Sequence, residues 1–300
     1  MANLSDEDIR AGQSSQPVSP VEQLFSKLSG MQANNQFTQP FFPVYQESVA
    51  WYRAQQPQKA VTVSPRGERL RADQILAEKP SPVWVICLHG FTNTPRELSP
   101  VAKGYHAWGY NLLLPHLCGH GESESDTVSM GWLDRLDVLG WIDYLNREYG
   151  DPQIILHGIS MGAATAMMAT GEALPSNVLC AIADCGFTSF WDFATLQAKA
   201  LFHIGPFPAL YALDTVGRLR LGFSLKEVSC LEQLKQSKTP TLFIHGDQDS
   251  LVPFWMLQKL YDAAACEKEM LVVPGAEHAE SMYHTELYYG TIRRFIDRYL

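Results

Sequence analysis

The chain has 300 residues, 46% of them hydrophobic and 18% charged, enough apolar material for one large catalytic domain and too much for global disorder. Its formal net charge of −9 repels phosphate backbones, which excludes nucleic acid as the expected partner. No apolar run reaches the ~18 residues that span a bilayer, so no transmembrane segment is expected.

Met1–Pro20 is polar and acidic and has neither the basic start nor the apolar stretch of a secretory signal. The six cysteines include no CxxC pair and read as free thiols in a reducing compartment, so a cytoplasmic location is expected. Residues 1–59 read as a polar extension with short helices. Val21, Leu24, Phe25 and Leu28 have helical spacing, and a second short helix is expected from Pro43 to Arg53.

From residue 60 the pattern changes. Ala60–Val63 and Leu70–Ile75 read as two strands joined by a turn through Pro65, Arg66 and Gly67. Continuous apolar runs follow at Val83–Leu88, Asn111–Leu114, Gln153–Leu156, Val178–Ala183, Thr241–Ile244 and Met270–Val273, most of them closed by His-Gly, Pro or Asp. Runs this short, apolar on both faces, fit strands buried inside a parallel sheet. Helical stretches lie between them: an apolar stripe of Leu133, Leu136, Leu139, Ile142 and Leu145, then Met161–Thr170, Phe254–Ala265, and a last stripe through Leu287, Ile292 and Phe295. Alternating strand and helix predicts a mostly parallel, twisted α/β sheet with helices on both faces over residues 60–300. The connection from about 187 to 238 is too long for a structureless loop and is rich in aromatic residues. It reads as a cap of two or three helices, or as an ordinary helical insertion. Phe187, Phe190 and Trp191 are its candidate substrate-binding residues.

Ligands of open parallel sheets bind beyond the carboxyl ends of the strands, so the residues after each run carry the functional reading. Gly158-Ile159-Ser160-Met161-Gly162 is a G-x-S-x-G between a buried strand and an alanine-rich helix. The two glycines remove side chains that would clash in so sharp a turn, and the helix start offers backbone N–H groups to a developing negative charge. After Leu88, the turn His89-Gly90-Phe91 can aim the Phe91 N–H at a substrate oxygen, with the Met161 N–H as second donor. After Ile244 come two candidate carboxylates, Asp247 and Asp249. Asp249 is preferred as the acid, with Asp247 as a turn organiser. After Val273, His278 is the expected base, and His284 is a rival. His89, His157 and His245, at strand ends, and His116 and His120, in a glycine turn, read as structural or loop-ordering.

With these segments in place the chain resembles the α/β-hydrolase superfamily, in the manner of bacterial carboxylesterases and monoacylglycerol-lipase-like enzymes. The carriers are Leu88–Phe91, Gly119–Ser123, Gly158–Gly162, His245–Pro253 and Gly275–His278. The resemblance implies the α/β-hydrolase fold, a cap between the sixth and seventh strands, a triad of Ser160, Asp249 and His278, and an oxyanion hole from Phe91 and Met161. Cys118 departs from the family pattern, which often has a basic residue before the Gly-His-Gly turn. The expected activity is hydrolysis of a small-molecule carboxylic ester with an apolar acyl or alcohol group, without metal or organic cofactor. A thioesterase or small peptidase with the same triad, and a non-catalytic ligand-binding protein of this fold, are the alternatives. Oligomeric state has no sequence signal.

Overall fold

The computed structural model describes residues 41–125 and 127–300. The helix expected around Val21–Leu28 lies outside the described residues. The elements run α1 (Phe42–Ala54), β1 (Gln58–Val63), β2 (Arg69–Ile75), β3 (Val83–Leu88), α2 (Ser99–Ala107), β4 (Asn111–Pro115), α3 (Asp134–Tyr149), β5 (Gln153–Ile159), α4 (Met161–Thr170) and β6 (Val178–Asp184). Next come α5 (Phe190–Phe202), α6 (Ala209–Leu221), α7 (Cys230–Leu234), β7 (Thr241–Gly246), α8 (Trp255–Ala263), β8 (Lys268–Val273) and α9 (Thr285–Ile296).

The eight strands form one sheet in the order β1-β2-β4-β3-β5-β6-β7-β8. The pairs β1–β2 and β2–β4 are antiparallel, and the pairs from β4 to β8 are parallel. The mostly parallel sheet expected from the apolar runs is present. The strands extend past those runs: β5 continues from Leu156 through His157 and Gly158 to Ile159.

The apolar runs are continuous because both faces of the sheet are covered, and the strand's two-residue period divides each run between them. Trp84, Ile86 and Leu88 of β3 enter one buried cluster, and Val83, Val85 and Cys87 enter the other. Leu113 of β4 and Phe243 of β7 join the first cluster, whereas Leu112, Leu114, Leu242 and Ile244 join the second. The first cluster is closed by α3, α4 and α8 through Trp141, Met167 and Leu257. The second is closed by α1, α2 and α9 through Tyr52, Tyr105 and Phe295. All ten residues of α4 are buried, which accounts for its small Ala, Gly and Met side chains and its lack of a polar face.

Helix α2 has no counterpart in the sequence reading. Pro100 and Gly104 weaken its helical signal. Gly104 is needed for packing, since a Cβ there would lie 2.4 Å from the Tyr289 ring. Between β6 and β7 the chain forms the helices α5, α6 and α7, with Ser189 and Ser229 capping α5 and α7 by accepting from the Asp192 and Glu232 N–H groups. Among the described residues no helix is long and apolar enough to cross a membrane.

Leu113, fully buried at the middle of β4, tests this layering. Leu113→Ala is expected to lower unfolding free energy by roughly 2–5 kcal/mol, read by urea denaturation, because its neighbours can only partly close the void.

Candidate active site

The strand-to-helix turn after β5 is sterically fixed. A Cβ on Gly158 would lie 2.0 Å from the Gly162 carbonyl oxygen, and one on Gly162 would lie 2.0 Å from the Leu88 carbonyl oxygen. Neither position admits any other residue without moving backbone. Ser160, between them, has φ +56°, a left-handed conformation that costs a side-chain-bearing residue about 1–2 kcal/mol. Its N–H donates to the Asp184 carbonyl at 2.9 Å and its own carbonyl accepts from Ala164 at 3.0 Å. The turn is thus tied to β6 on one side and α4 on the other.

Two other loops bring their side chains to this serine. The Ser160 hydroxyl lies 2.9 Å from His278 Nε2, and His278 Nδ1 lies 2.7 Å from Asp249 Oδ2. Since the carboxylate can only accept, the neutral imidazole carries its proton on Nδ1 and leaves Nε2 free to accept from the serine. All three residues are buried. Asp249 is held on several sides. Its Oδ1 accepts from the Leu251 N–H at 3.0 Å and the Val252 N–H at 2.8 Å, and His245 Nε2 lies 3.1 Å from Oδ2. Burial works to raise this carboxyl. The His278 charge and the hydrogen bonds from His245 and His278 outweigh burial and hold the carboxyl well below the usual carboxylate range. Burial works to lower the His278 imidazole, and the Asp249 charge outweighs it, so His278 sits above its ordinary value.

The remaining candidates lie around this row. Gly90 stands against Ser160, where a Cβ would be 3.5 Å from Ser160 Cβ. Met161 is the first residue of α4, where the N–H has no acceptor within the helix. Asp247 accepts from the Gly275 N–H at 2.7 Å and so ties the β7 loop to the loop that carries His278. His284 precedes α9 and packs tilted against the Phe41 ring at 6.1 Å. Phe187 and Phe190 are in the same buried cluster as Met161, with Phe187 stacked on Phe193 at 5.7 Å. Trp191 is half-buried, edge-on to Tyr211 at 5.1 Å and covered by the Lys226 ammonium at 4.3 Å.

Several residues at the site had a weak sequence signal or none. His245 reaches Asp249 as well as the Val252 carbonyl, at 2.9 Å. Cys185, buried after β6, has its sulfur within 4.8 Å of ligand atoms of His278 and Asp249. Burial pushes its thiol up to about 11. That trio, and Glu68, Cys118 and Asp137, are the metal-like clusters among the described residues. In the first, Asp249 and His278 already bond each other. In the second, the Arg66 guanidinium lies 2.9 Å from Asp137 and 2.8 Å from Glu68 and fills the cation's place.

Behind the serine runs a buried polar chain. Tyr105 donates to His157 Nδ1 at 2.7 Å, His157 Nε2 donates to Tyr288 Oη at 3.1 Å, and Tyr288 donates to Asp184 Oδ2 at 3.0 Å. Burial pushes the Asp184 carboxyl up to about 6, against the opposing bond from Tyr288.

With its geometry described, the chain can be compared with known proteins. The alpha/beta hydrolase fold family matches residues 83–203. YqkD of Bacillus subtilis is 28% identical over 224 residues, 74% of this chain and 73% of that one. A thermostable monoacylglycerol lipase of a Bacillus species is 33% identical over 101 residues, 32% of this chain and 38% of that one. Among solved structures, an esterase of Pyrococcus furiosus superposes with a TM-score of 0.65 at 22% identity, covering 81% of this chain and 92% of that one. Est1E of Butyrivibrio proteoclasticus, solved with ferulic acid bound, gives 0.63 at 18% identity over 79% of this chain and all of its own. These last two likenesses are of fold.

Two substitutions test the turn and the carboxylate behind it. Gly162→Ala is expected to destabilise by roughly 3 kcal/mol or more, read as a loss of melting temperature, because the new methyl meets backbone. Asp184 binds its proton more tightly folded than unfolded, so its contribution to stability is fully present below ~3.9 and is lost as pH rises through about 6. Asp184→Asn, which cannot ionise, should therefore gain on the parent chain across that window. The gain should be on the order of 2 kcal/mol by pH ~8, measured as the difference between urea midpoints at the two ends.

Proposed function

We propose that this member of the α/β-hydrolase superfamily is a serine esterase in which Ser160 is the nucleophile, His278 the general base and acid, and Asp249 the supporting carboxylate. The observation that carries the reading is the buried row of hydroxyl, imidazole and carboxylate, at 2.9 and 2.7 Å. His278 Nε2 takes the Ser160 proton as Oγ attacks the ester carbonyl carbon. Asp249 holds the ring in the tautomer that can accept and offsets the imidazolium charge. The carbonyl oxygen becomes an oxyanion facing the Phe91 and Met161 N–H groups, each such donor being worth roughly 3–4 kcal/mol in the transition state. His278 then returns the proton to the departing alcohol. Water, deprotonated by the same ring, attacks the acyl-enzyme and releases the acid.

The carboxylate is suited to this because it is ionised at any working pH. It accepts three hydrogen bonds, from two backbone N–H groups and His278, and His245 Nε2 lies 3.1 Å away, so desolvation does not neutralise it. The substrate is a small carboxylic ester rather than a nucleic acid, with an apolar acyl or alcohol group lying toward Phe187, Phe190 and Trp191. The similarity to a monoacylglycerol lipase supports an acyl chain of some length. All six cysteines are free, which suits a cytoplasmic enzyme.

A fluorophosphonate probe is expected to label Ser160 in the folded chain, and p-nitrophenyl esters of graded acyl length are expected to be hydrolysed. Ser160→Ala and His278→Ala should each lower kcat by at least about a thousandfold. Asp249→Asn should be nearly as severe and Asp247→Asn much milder. Equal losses from the two aspartates would overturn the choice of acid. An unlabelled Ser160, with ligand binding intact in Ser160→Ala, would leave a binding protein instead.

A further inference from the structure

We propose that His89 and His120 form a reciprocal clamp that fixes the peptides on either side of Phe91, which makes His120 a positioning residue for the oxyanion loop. The catalytic consequence rests on the esterase reading above, whereas the clamp itself rests on hydrogen bonds alone.

The loop after β3 carries His89, Gly90, Phe91 and Thr92, and the loop after β4 carries Leu117, Cys118 and His120. The Leu117 N–H donates to His89 Nε2 at 3.1 Å. The Thr92 N–H donates to His120 Nε2 at 2.9 Å. Each loop therefore gives one backbone N–H to the imidazole of the other. A backbone nitrogen can only donate, so both Nε2 atoms must accept and both rings carry their proton on Nδ1. Those protons have acceptors. His89 Nδ1 donates to the Gly90 carbonyl at 2.8 Å and His120 Nδ1 donates to the Cys118 carbonyl at 2.8 Å. Both rings are buried, and burial lowers both imidazoles, His89 to about 3, which favours the neutral form that can accept.

The consequence for Phe91 follows from peptide geometry. Its N–H belongs to the Gly90–Phe91 peptide, and in a trans peptide the N–H points away from the carbonyl. His89 and the Asn93 N–H, the latter at 3.2 Å, hold the Gly90 carbonyl, so they set the direction of the Phe91 N–H as well. His120 holds the N–H of the next peptide. Thr92 has φ +64°, a left-handed conformation that a β-branched residue adopts only under constraint, and the bond to His120 is a constraint at that residue. The rings also brace one another: His120 meets His89 edge-on at 5.3 Å and Phe91 at 5.6 Å. A ring that only filled space would not need an acceptor at Nε2, and this difference can be measured.

His120→Phe keeps a flat ring and removes the acceptor, while His120→Gln returns an oxygen acceptor near the Nε2 position. With folding checked by circular dichroism, His120→Phe is expected to lower kcat for p-nitrophenyl butyrate roughly ten- to a hundredfold with KM changed by less than about threefold. His120→Gln should recover most of the loss. A folded Phe variant with unchanged kcat, or a Gln variant as slow as the Phe variant, overturns the positioning role. Nitrogen NMR of the wild-type imidazoles gives a readout independent of turnover and of whether the Phe variant folds. Protons on Nδ1 of both His89 and His120 support the clamp, and a proton on Nε2 of His120 overturns it. Should the wild type hydrolyse no ester, the esterase reading falls while the tautomers still decide the clamp.

Discussion

Gly162 sits so close to β3 that a single methyl group would meet the Leu88 carbonyl at 2.0 Å, and the rest of the site depends on that approach. It brings the start of α4 against the end of β3. It also forces Ser160 into its left-handed conformation. That strain is local and small beside what holds it. α4 is buried along its whole length, and at about 25 cal/mol per Å² of apolar surface removed from water a helix of this kind outweighs one strained residue many times over. The turn is sharp because the helix behind it cannot move away.

Two buried aspartates near His278 show how environment divides identical side chains. Asp249 accepts from two backbone N–H groups and His278, with His245 Nε2 3.1 Å away, and its carboxyl is held below its usual range. Asp184 has Tyr288 as its side-chain donor, while its Oδ1 has no hydrogen-bond partner among the described residues, and burial raises it instead. The difference is in the charge of His278 beside Asp249 and in the donors each carboxylate has, not in burial, since both are enclosed. An acid held below its usual range and one raised above it thus stand at the ends of adjacent strands. The raised one closes β6, the other lies in the loop after β7, and the triad reading uses only the second of these positions.

Much of the fold was legible because the strands are buried on both faces, so each apolar run marked where a strand lies, although β5 and β7 continue into the His-Gly pairs that follow their runs. What the pattern concealed was the split of each run between two clusters, visible only once both faces are occupied. Helix α2 was hidden because Gly104 answers to the Tyr289 ring, far along the chain, rather than to helix propensity. Ser160 and its flanking glycines were legible as a local steric necessity. The approach of His245 to Asp249 was not, nor was the exchange of donors between the loops of β3 and β4. Those depend on which loops become neighbours, and β4 lies beside β3 only through the order of the sheet.

The β4 loop is anchored in the same non-local way. Arg66, in the hairpin between β1 and β2, reaches Cys118 Sγ at 3.2 Å and Asp137 at 2.9 Å. The Cys118 N–H donates to Asp134 at 2.6 Å. The segment that presents His120 is therefore guyed from the sheet's outermost antiparallel pair, elements that contribute nothing to the reacting atoms. A hairpin that looks like trim at the margin becomes a strut for the centre, and sequence drift there is coupled to the precision of a loop on the far side of β4.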